Sequence, residues 1–415
     1  MGIHIAEADL DVLREPLRRP FGFKGGYFTE KWVCRVSLTS SGGSRAVGLG
    51  GLAVLWSDPE LFAEHTEVGG NLVMASLLET SLLAARGTSF DTPIDLLNRS
   101  APQAHEAGKR MTGRPNLRRT FALNSLIALD NAAWILYARE NGISTFDEMI
   151  PEPYRQVLGH RHRAVASIPA ISYKSGDQEI VDLVDAGHFF LKVKIGAPGE
   201  PAEMLQADKE RLTHLHGLVG SRETAHAGVR YYLDANGRYR DLAALQDLLD
   251  HAKEIGAFGQ IALLEEPFPE EIELDVSSVG VRVVADESVQ SLEDVARKAE
   301  LGYGAIALKP AGKTLSLTLQ VAREADRLEV PCFVADSACV PRLLDWNRNI
   351  AARLAPLPGE GMGLLEVNGP ENYRNWERLV SEHPCHGADW LEPRNGLFEL
   401  GESFYQGSGG ILTES

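Results

Sequence analysis

Phe189-Phe190-Leu191-Lys192-Val193-Lys194 reads as a short apolar strand ending in two lysines at strand period, so that both ammoniums leave the same face. Outward along the chain the same design recurs. Tyr231-Tyr232-Leu233-Asp234, Ile261-Ala262-Leu263-Leu264-Glu265 and Val283-Val284-Ala285-Asp286 are apolar runs that each end in an acid, and Ala305-Ile306-Ala307-Leu308-Lys309 ends in a lysine. With 165–171, 332–334 and 364–367 these runs make eight strand candidates, and stretches such as 242–255 and 292–301 between them carry apolar residues at helical spacing. Short apolar strands alternating with amphipathic helices predict an α/β fold with a closed parallel (β/α) barrel, a modified TIM barrel of about seven to eight βα units, over residues 151–384.

Before the barrel the pattern differs. Val33, Arg35, Val36 and Leu38 with the turn Ser41-Gly42-Gly43 suggest a β-meander, and 72–85 and 123–137 read as helices. Strands followed by helices predict a separate α+β capping domain over 1–150, completed by a tail from about 385 to 415 whose Gly407-Ser408-Gly409-Gly410 is expected to be mobile.

The chain has 415 residues, and its 41 basic against 58 acidic residues give a net charge of −17. That balance argues against nucleic acid or an anionic membrane as a partner, since both need basic surfaces. An anionic substrate would need locally placed lysines or a metal ion to offset the overall field. Met1-Gly-Ile-His-Ile-Ala-Glu has neither the basic nor the apolar segment of a secretion signal, and no run reads as the ~20 apolar residues of a membrane span, so a cytoplasmic protein is expected. Cys34, Cys332, Cys339 and Cys385 lack metal-site spacing and read as buried thiols.

In a parallel barrel the C-terminal strand ends form the active-site rim. Asp234, Glu265 and Asp286 would converge there, and such a set repels itself unless a cation lies between; an all-oxygen donor set suits a hard ion, Mg²⁺ first and Mn²⁺ as a substitute. Each acid taken singly also fits a helix cap, and each lysine taken singly a snorkelling surface side chain. Lysines on strands flanking the acids give the arrangement a use. A lysine beside a divalent cation and a second ammonium is expected to have its pKa lowered, so that it can take the proton alpha to a carboxylate while the metal stabilises the enediolate.

The ordered set Lys192-Val193-Lys194, Asp234-Ala235-Asn236, Glu265-Glu266-Pro267, Ala285-Asp286-Glu287-Ser288 and Leu308-Lys309 resembles the enolase superfamily, in its mandelate racemase/muconate-lactonizing-enzyme-like subgroup. The resemblance implies Asp234, Glu265 and Asp286 as Mg²⁺ ligands, and Lys194 and Lys309 as the acid/base pair. It further implies that Lys192 stabilises the substrate carboxylate, that Asn236 and Glu287 orient ligands or Lys309, and that the protein forms a homo-oligomer. Glu366 loosely matches a glutamate near the family's eighth strand that assists the carboxylate, and equally fits a surface acid.

The chain departs from the family where substrates are told apart. Glu366-Val367-Asn368 lacks the Asp-x-Asp of dipeptide epimerases, and Ala335-Asp336-Ser337 differs from the family's seventh-strand patterns; Asp336 reads either as a substrate contact or as a helix cap. Phe21-Gly22-Phe23-Lys24-Gly25-Gly26 and Gly48-Leu49-Gly50-Gly51 fall where the family closes over substrate, and read as moving loops with Phe23 and Lys24 near the ligand, or as ordinary turns. The expected function is Mg²⁺-dependent proton abstraction alpha to the carboxylate of a small carboxylate substrate, as a racemase/epimerase or cycloisomerase. A sugar-acid dehydratase on the same site is the alternative reaction. A non-catalytic metal- and carboxylate-binding barrel is the alternative of another class.

Overall fold

The computed structural model of the chain describes residues 2–413. The first domain is built on an antiparallel sheet in the order Arg45–Leu52, Gly26–Ser40, Ile3–Phe23 and Ser89–Phe90. Ile3–Phe23 and Gly26–Ser40 form one long hairpin whose register ends at Phe23 opposite Gly26. Lys24 (φ 49°) and Gly25 (φ 76°) make its two-residue turn, with both central residues left-handed as a tight twisted hairpin requires.

Helix Ile127–Glu140 lies directly on this sheet, buried along nearly its whole length. Here the reading of Gly48-Leu49-Gly50-Gly51 as a moving loop is corrected, because these residues belong to strand Arg45–Leu52. A Cβ on Gly48 would lie 2.2 Å from the Ala132 nitrogen and one on Gly50 2.5 Å from that of Ala128, so the glycines let helix and sheet approach closely. Helix Pro59–Ala85 starts earlier than the periodicity suggests: Asp58 caps it by accepting from Leu61 N at 2.9 Å, and Thr66 (φ 62°) breaks it internally. Contrary to the sequence reading, this helix is long and apolar enough to cross a membrane, but Met74, Leu77, Leu78 and Leu82 bury its apolar face in the domain core.

The second domain contains all eight expected strands, in ring order. Pro169 divides the first strand. Its lower half, Ala164–Ile168, pairs with Gly363–Glu366, and its upper half, Ala170–Ile171, pairs with Phe190–Lys194, which closes the barrel. Strand alternation then sorts the interior into layers. Phe190, Tyr232, Leu263, Val284, Ala307, Phe333 and Leu364 form an apolar plug. Two residues further along their strands, on the same inward face, come Lys192, Asp234, Glu265, Asp286, Lys309, Ala335 and Glu366.

The tail touches both domains. Leu397–Glu399 pairs antiparallel with Ala164–Ile168 of the barrel, Ser408 of the tail reaches Phe146 of the first domain, and the segment before the tail also meets that domain, through the Leu17–Tyr373 bridge and the Glu15–Arg378 ion pair at 3.0 Å. Contrary to expectation, the glycine run is not mobile. Ser408 is fully buried, its Oγ accepts from Phe146 N at 2.7 Å, and Gly409 and Gly410 supply the left-handed backbone (φ 61° and 95°) that folds this turn against Phe404.

Candidate active site at the barrel mouth

A cavity lies between the barrel mouth and the first domain, and Lys192, Lys194, Asn236, Lys309, Asp336 and Glu366 line it from the barrel side. Phe23 lines it from the hairpin, in edge-on contact with Phe21 and Phe28. Lys194 and Lys309 end the second and sixth strands of an eight-strand ring, four strands apart and therefore on opposite sides.

The second strand delivers both of its lysines to acids. Lys192 Nζ lies 2.9 Å from Glu265 Oε2, 3.0 Å from Glu366 Oε2 and 3.0 Å from Asp234 Oδ2, above the Tyr232 ring. Lys194 Nζ lies 2.5 Å from Asp234 Oδ2 and donates to Asn236 Oδ1 at 2.9 Å. Across the mouth Lys309 Nζ bonds Asp286 Oδ2 and stands over the Trp56 ring of the first domain. Glu366 is buried, and Asp336 N donates to it at 3.0 Å, so of its two readings the surface acid is excluded.

Glu265, Asp286 and Glu287 each present an oxygen within 4.8 Å of the others. Glu265 Oε1 and Glu287 Oε2 are buried without a hydrogen-bond donor, and Asp286 Oδ1 faces the Lys313 ammonium at 3.2 Å. Buried carboxylate oxygens left unpaired are costly, and their mutual approach fits a hard cation bound by oxygen donors. Asp234 stands outside this trio: Oδ2 takes both lysines and Oδ1 accepts from Asn236 N at 3.0 Å.

The charges are strongly coupled to their surroundings. Burial pushes the Glu265 carboxyl up to about 8 even with Lys192 beside it. Burial also opposes charge on Asp234 and Asp286, but Lys192 and Lys194 outweigh it at Asp234, and Lys309 and Lys313 at Asp286, so both lie below the usual carboxylate range. Lys192 and Lys309 move the other way from the lowering expected of a catalytic lysine. Burial favours their neutral form, yet Asp234, Glu265 and Glu366 hold Lys192 well above its ordinary value, and Asp286 and Glu265 raise Lys309. At both lysines the attraction of the neighbouring carboxylates outweighs burial.

Other predicted residues have definite places. Asn236 Nδ2 donates to Glu287 Oε1 at 3.0 Å, and Lys24 Nζ forms an ion pair with the same oxygen at 3.0 Å. Asp336 accepts from Asn368 N at 3.0 Å and Cys339 N at 3.3 Å, shaping the turn after the seventh strand rather than capping the helix Pro341–Ala351, whose cap is Val340.

Several contributors are not singled out by the sequence reading. Glu266 (φ 40°) accepts from Asp286 N at 2.7 Å and so fixes the turn that carries a candidate ligand. Buried Lys313 donates to Val289 O at 3.0 Å and faces Asp286 Oδ1 at 3.2 Å. Asn124 ties the domains together by donating to Gly51 O at 3.2 Å and Gly312 O at 3.1 Å. Glu266 stood within a quoted motif; Lys313 and Asn124 carry no local pattern that marks them.

Residues 177–352 match the family described as enolase C-terminal domain-like. No curated protein matches the sequence. Among solved structures, the chain is similar to a mandelate racemase/muconate lactonizing protein from Herpetosiphon aurantiacus, 17% identical over 97% of each chain with a TM-score of 0.68. It is similar to a dipeptide epimerase from Enterococcus faecalis complexed with Mg and the dipeptide L-Leu-L-Tyr, 18% identical over 98% of this chain and 99% of that one, TM-score 0.67. It is also similar to an N-succinyl Arg/Lys racemase from Bacillus cereus, 15% identical over 90% and 89% of the two chains, TM-score 0.63. Residues 177–352 thus match the enolase C-terminal domain-like family, within a fold shared along nearly the whole chain with a mandelate racemase/muconate lactonizing protein.

Proposed function

We propose that this protein is an enzyme that moves the proton alpha to the carboxylate of a small carboxylic acid, as a racemase/epimerase or cycloisomerase. The observation that carries the reading is the pair Lys194 and Lys309, four strands apart in an eight-strand ring and lining one cavity. One ammonium or amine on each face of a planar intermediate permits removal of a proton from one side and return to the other.

Glu265 and Asp286 would hold Mg²⁺, with Asp234 or Glu287 as the third carboxylate. Asp234 follows from the motif, and Glu287 is favoured by its unpaired Oε2 beside the other two. The bound cation would supply positive charge to the substrate carboxylate as the proton leaves. In the chain itself, Lys192 has the position to share that duty, buried at the centre of the mouth among Asp234, Glu265 and Glu366. Lys194 and Lys309 rest on Asp234 and Asp286, which hold the two lysines in place on opposite sides of the cavity. Phe23, Trp56 and the hairpin above them keep water from the reacting carbon.

Candidate acids incubated with the protein and Mg²⁺ in ²H₂O test this reading by NMR. Exchange of the α-hydrogen without loss of a substituent supports isomerisation. A keto product with loss of a β-substituent moves the assignment to a dehydratase, and absence of exchange across a broad acid panel favours a binding protein.

A further inference from the structure

Lys31 lies on strand Gly26–Ser40 of the first domain, within the cavity that the catalytic lysines line from the opposite side. It is 2% exposed, yet its ammonium has one hydrogen-bond acceptor, the Ser337 carbonyl at 2.7 Å. Among the described residues no carboxylate lies within ion-pair distance of it. The acids that share the cavity are committed elsewhere: Glu30 to Arg14, Glu67 to the Thr29 and Glu30 amides, Asp336 to Cys339 N and Asn368 N, and Glu366 to Lys192. The position is nevertheless built for a long side chain, because a Cβ on Gly51 would lie 2.6 Å from Lys31 Cε, so the glycine makes room for the stem. A buried ammonium without a counter-charge is unfavourable by itself, and burial lowers its pKa to about 8. Such a group is retained at little advantage unless a ligand completes it.

We propose that Lys31 binds a second anionic group of the substrate, a carboxylate distal to the one handled at the barrel mouth. The substrate class is then a dicarboxylate whose body is apolar, since Phe21, Phe28, Leu55 and Trp56 line the same cavity as Lys31. This deepens the isomerase reading and rests on it for the position of the first carboxylate. Lys31 and the barrel lysines come from different domains, so the two ends of the ligand join the cap to the barrel.

Isothermal titration of the full chain with Mg²⁺ tests this, using two matched pairs of probes: 2-phenylglutarate against 2-phenylbutyrate, and 2-phenylsuccinate against 2-phenylpropionate. The members of each pair differ by the distal carboxylate. We expect the dicarboxylate of at least one pair to bind roughly tenfold or more tightly, as a charge-assisted contact in a desolvated site provides. Lys31→Met and Lys31→Gln should erase that preference while binding the monocarboxylates as the parent does. Equal binding within both pairs by the parent protein overturns the proposal even if neither variant folds, and so does a preference that survives in Lys31→Gln. α-Hydrogen exchange on the same probes separates the two readings. Preference for the dicarboxylate supports the Lys31 site whether or not these probes exchange, whereas exchange without preference keeps the isomerase and removes the Lys31 site.

Discussion

Lys24, at the tip of the first-domain hairpin, forms an ion pair at 3.0 Å with Glu287 at the barrel mouth, and the two side chains are only 8% and 1% exposed. The hairpin is therefore fastened over the cavity by charge as well as by its aromatic contacts. Just past the turn, Glu67 also holds the hairpin by accepting from Thr29 N at 2.9 Å and Glu30 N at 3.0 Å. Burial opposes the charge of Glu287, but Lys24 and Lys309 outweigh it and keep the carboxyl well below its usual range.

Lys24→Ala leaves Glu287 buried with Asn236 and a more distant Lys309, and should cost roughly 1–3 kcal/mol of stability. The expected signature is faster amide hydrogen exchange in residues 20–30 with the barrel strands unaffected. Unchanged exchange in the hairpin would show that the ion pair does not hold it.

Lys31 gives a pH-dependent stability of predictable sign. Below pH about 8 it is protonated in both native and unfolded chains, and the native state bears the full cost of a buried charge. Between about 8 and its ordinary 10.5 the unfolded chain holds a proton that the native chain has lost, so this group makes stability rise with pH across that window. Lys31→Met should therefore exceed the parent by on the order of 3 kcal/mol at pH 7, with the difference shrinking toward pH 10.5. Denaturant midpoints of both proteins across that range check it, and a constant difference contradicts it.

Mg²⁺ titrations of single variants identify the donor set. Asp286→Asn and Glu265→Gln should each weaken binding by tenfold or more, roughly one lost charged ligand. Comparing Asp234→Asn with Glu287→Gln decides the third position. Mg²⁺ binding left intact in all four would remove the metal site.

Gly48→Ala tests the cap's construction. Its Cβ would meet the backbone of Ala132 and Ala128, which cannot rotate away, so a loss of about 2 kcal/mol or more in thermal or denaturant unfolding is expected. Parent-like stability would contradict the close helix-on-sheet contact.

The barrel was legible because its chemistry and its core share one period. Phe190 and Lys192, Tyr232 and Asp234, or Leu263 and Glu265 stand two apart on one face, so reading the apolar plug also reads the rim. What escaped the sequence depends on contacts between distant segments. Lys31 looks like any strand lysine until strand Arg45–Leu52 brings Gly51 against its stem and the seventh strand brings the Ser337 carbonyl to its end. The glycines at 48 and 50 carry the composition of a mobile loop, and only the helix lying on them shows that they serve packing. The tail glycines misled in the same way, since positive φ in a buried turn and freedom in a loose one leave the same residues in the sequence.

The account stands most directly on the opposition of Lys194 and Lys309. Once an exchanging acid is found, each enantiomer should be followed separately in ²H₂O with Lys194→Ala and Lys309→Ala. The predicted result is complementary: each variant loses interconversion, and each retains α-hydrogen exchange on only one enantiomer, opposite for the two variants. Loss of exchange on the same enantiomer in both, or interconversion at the parent rate in either, would contradict two-faced proton transfer.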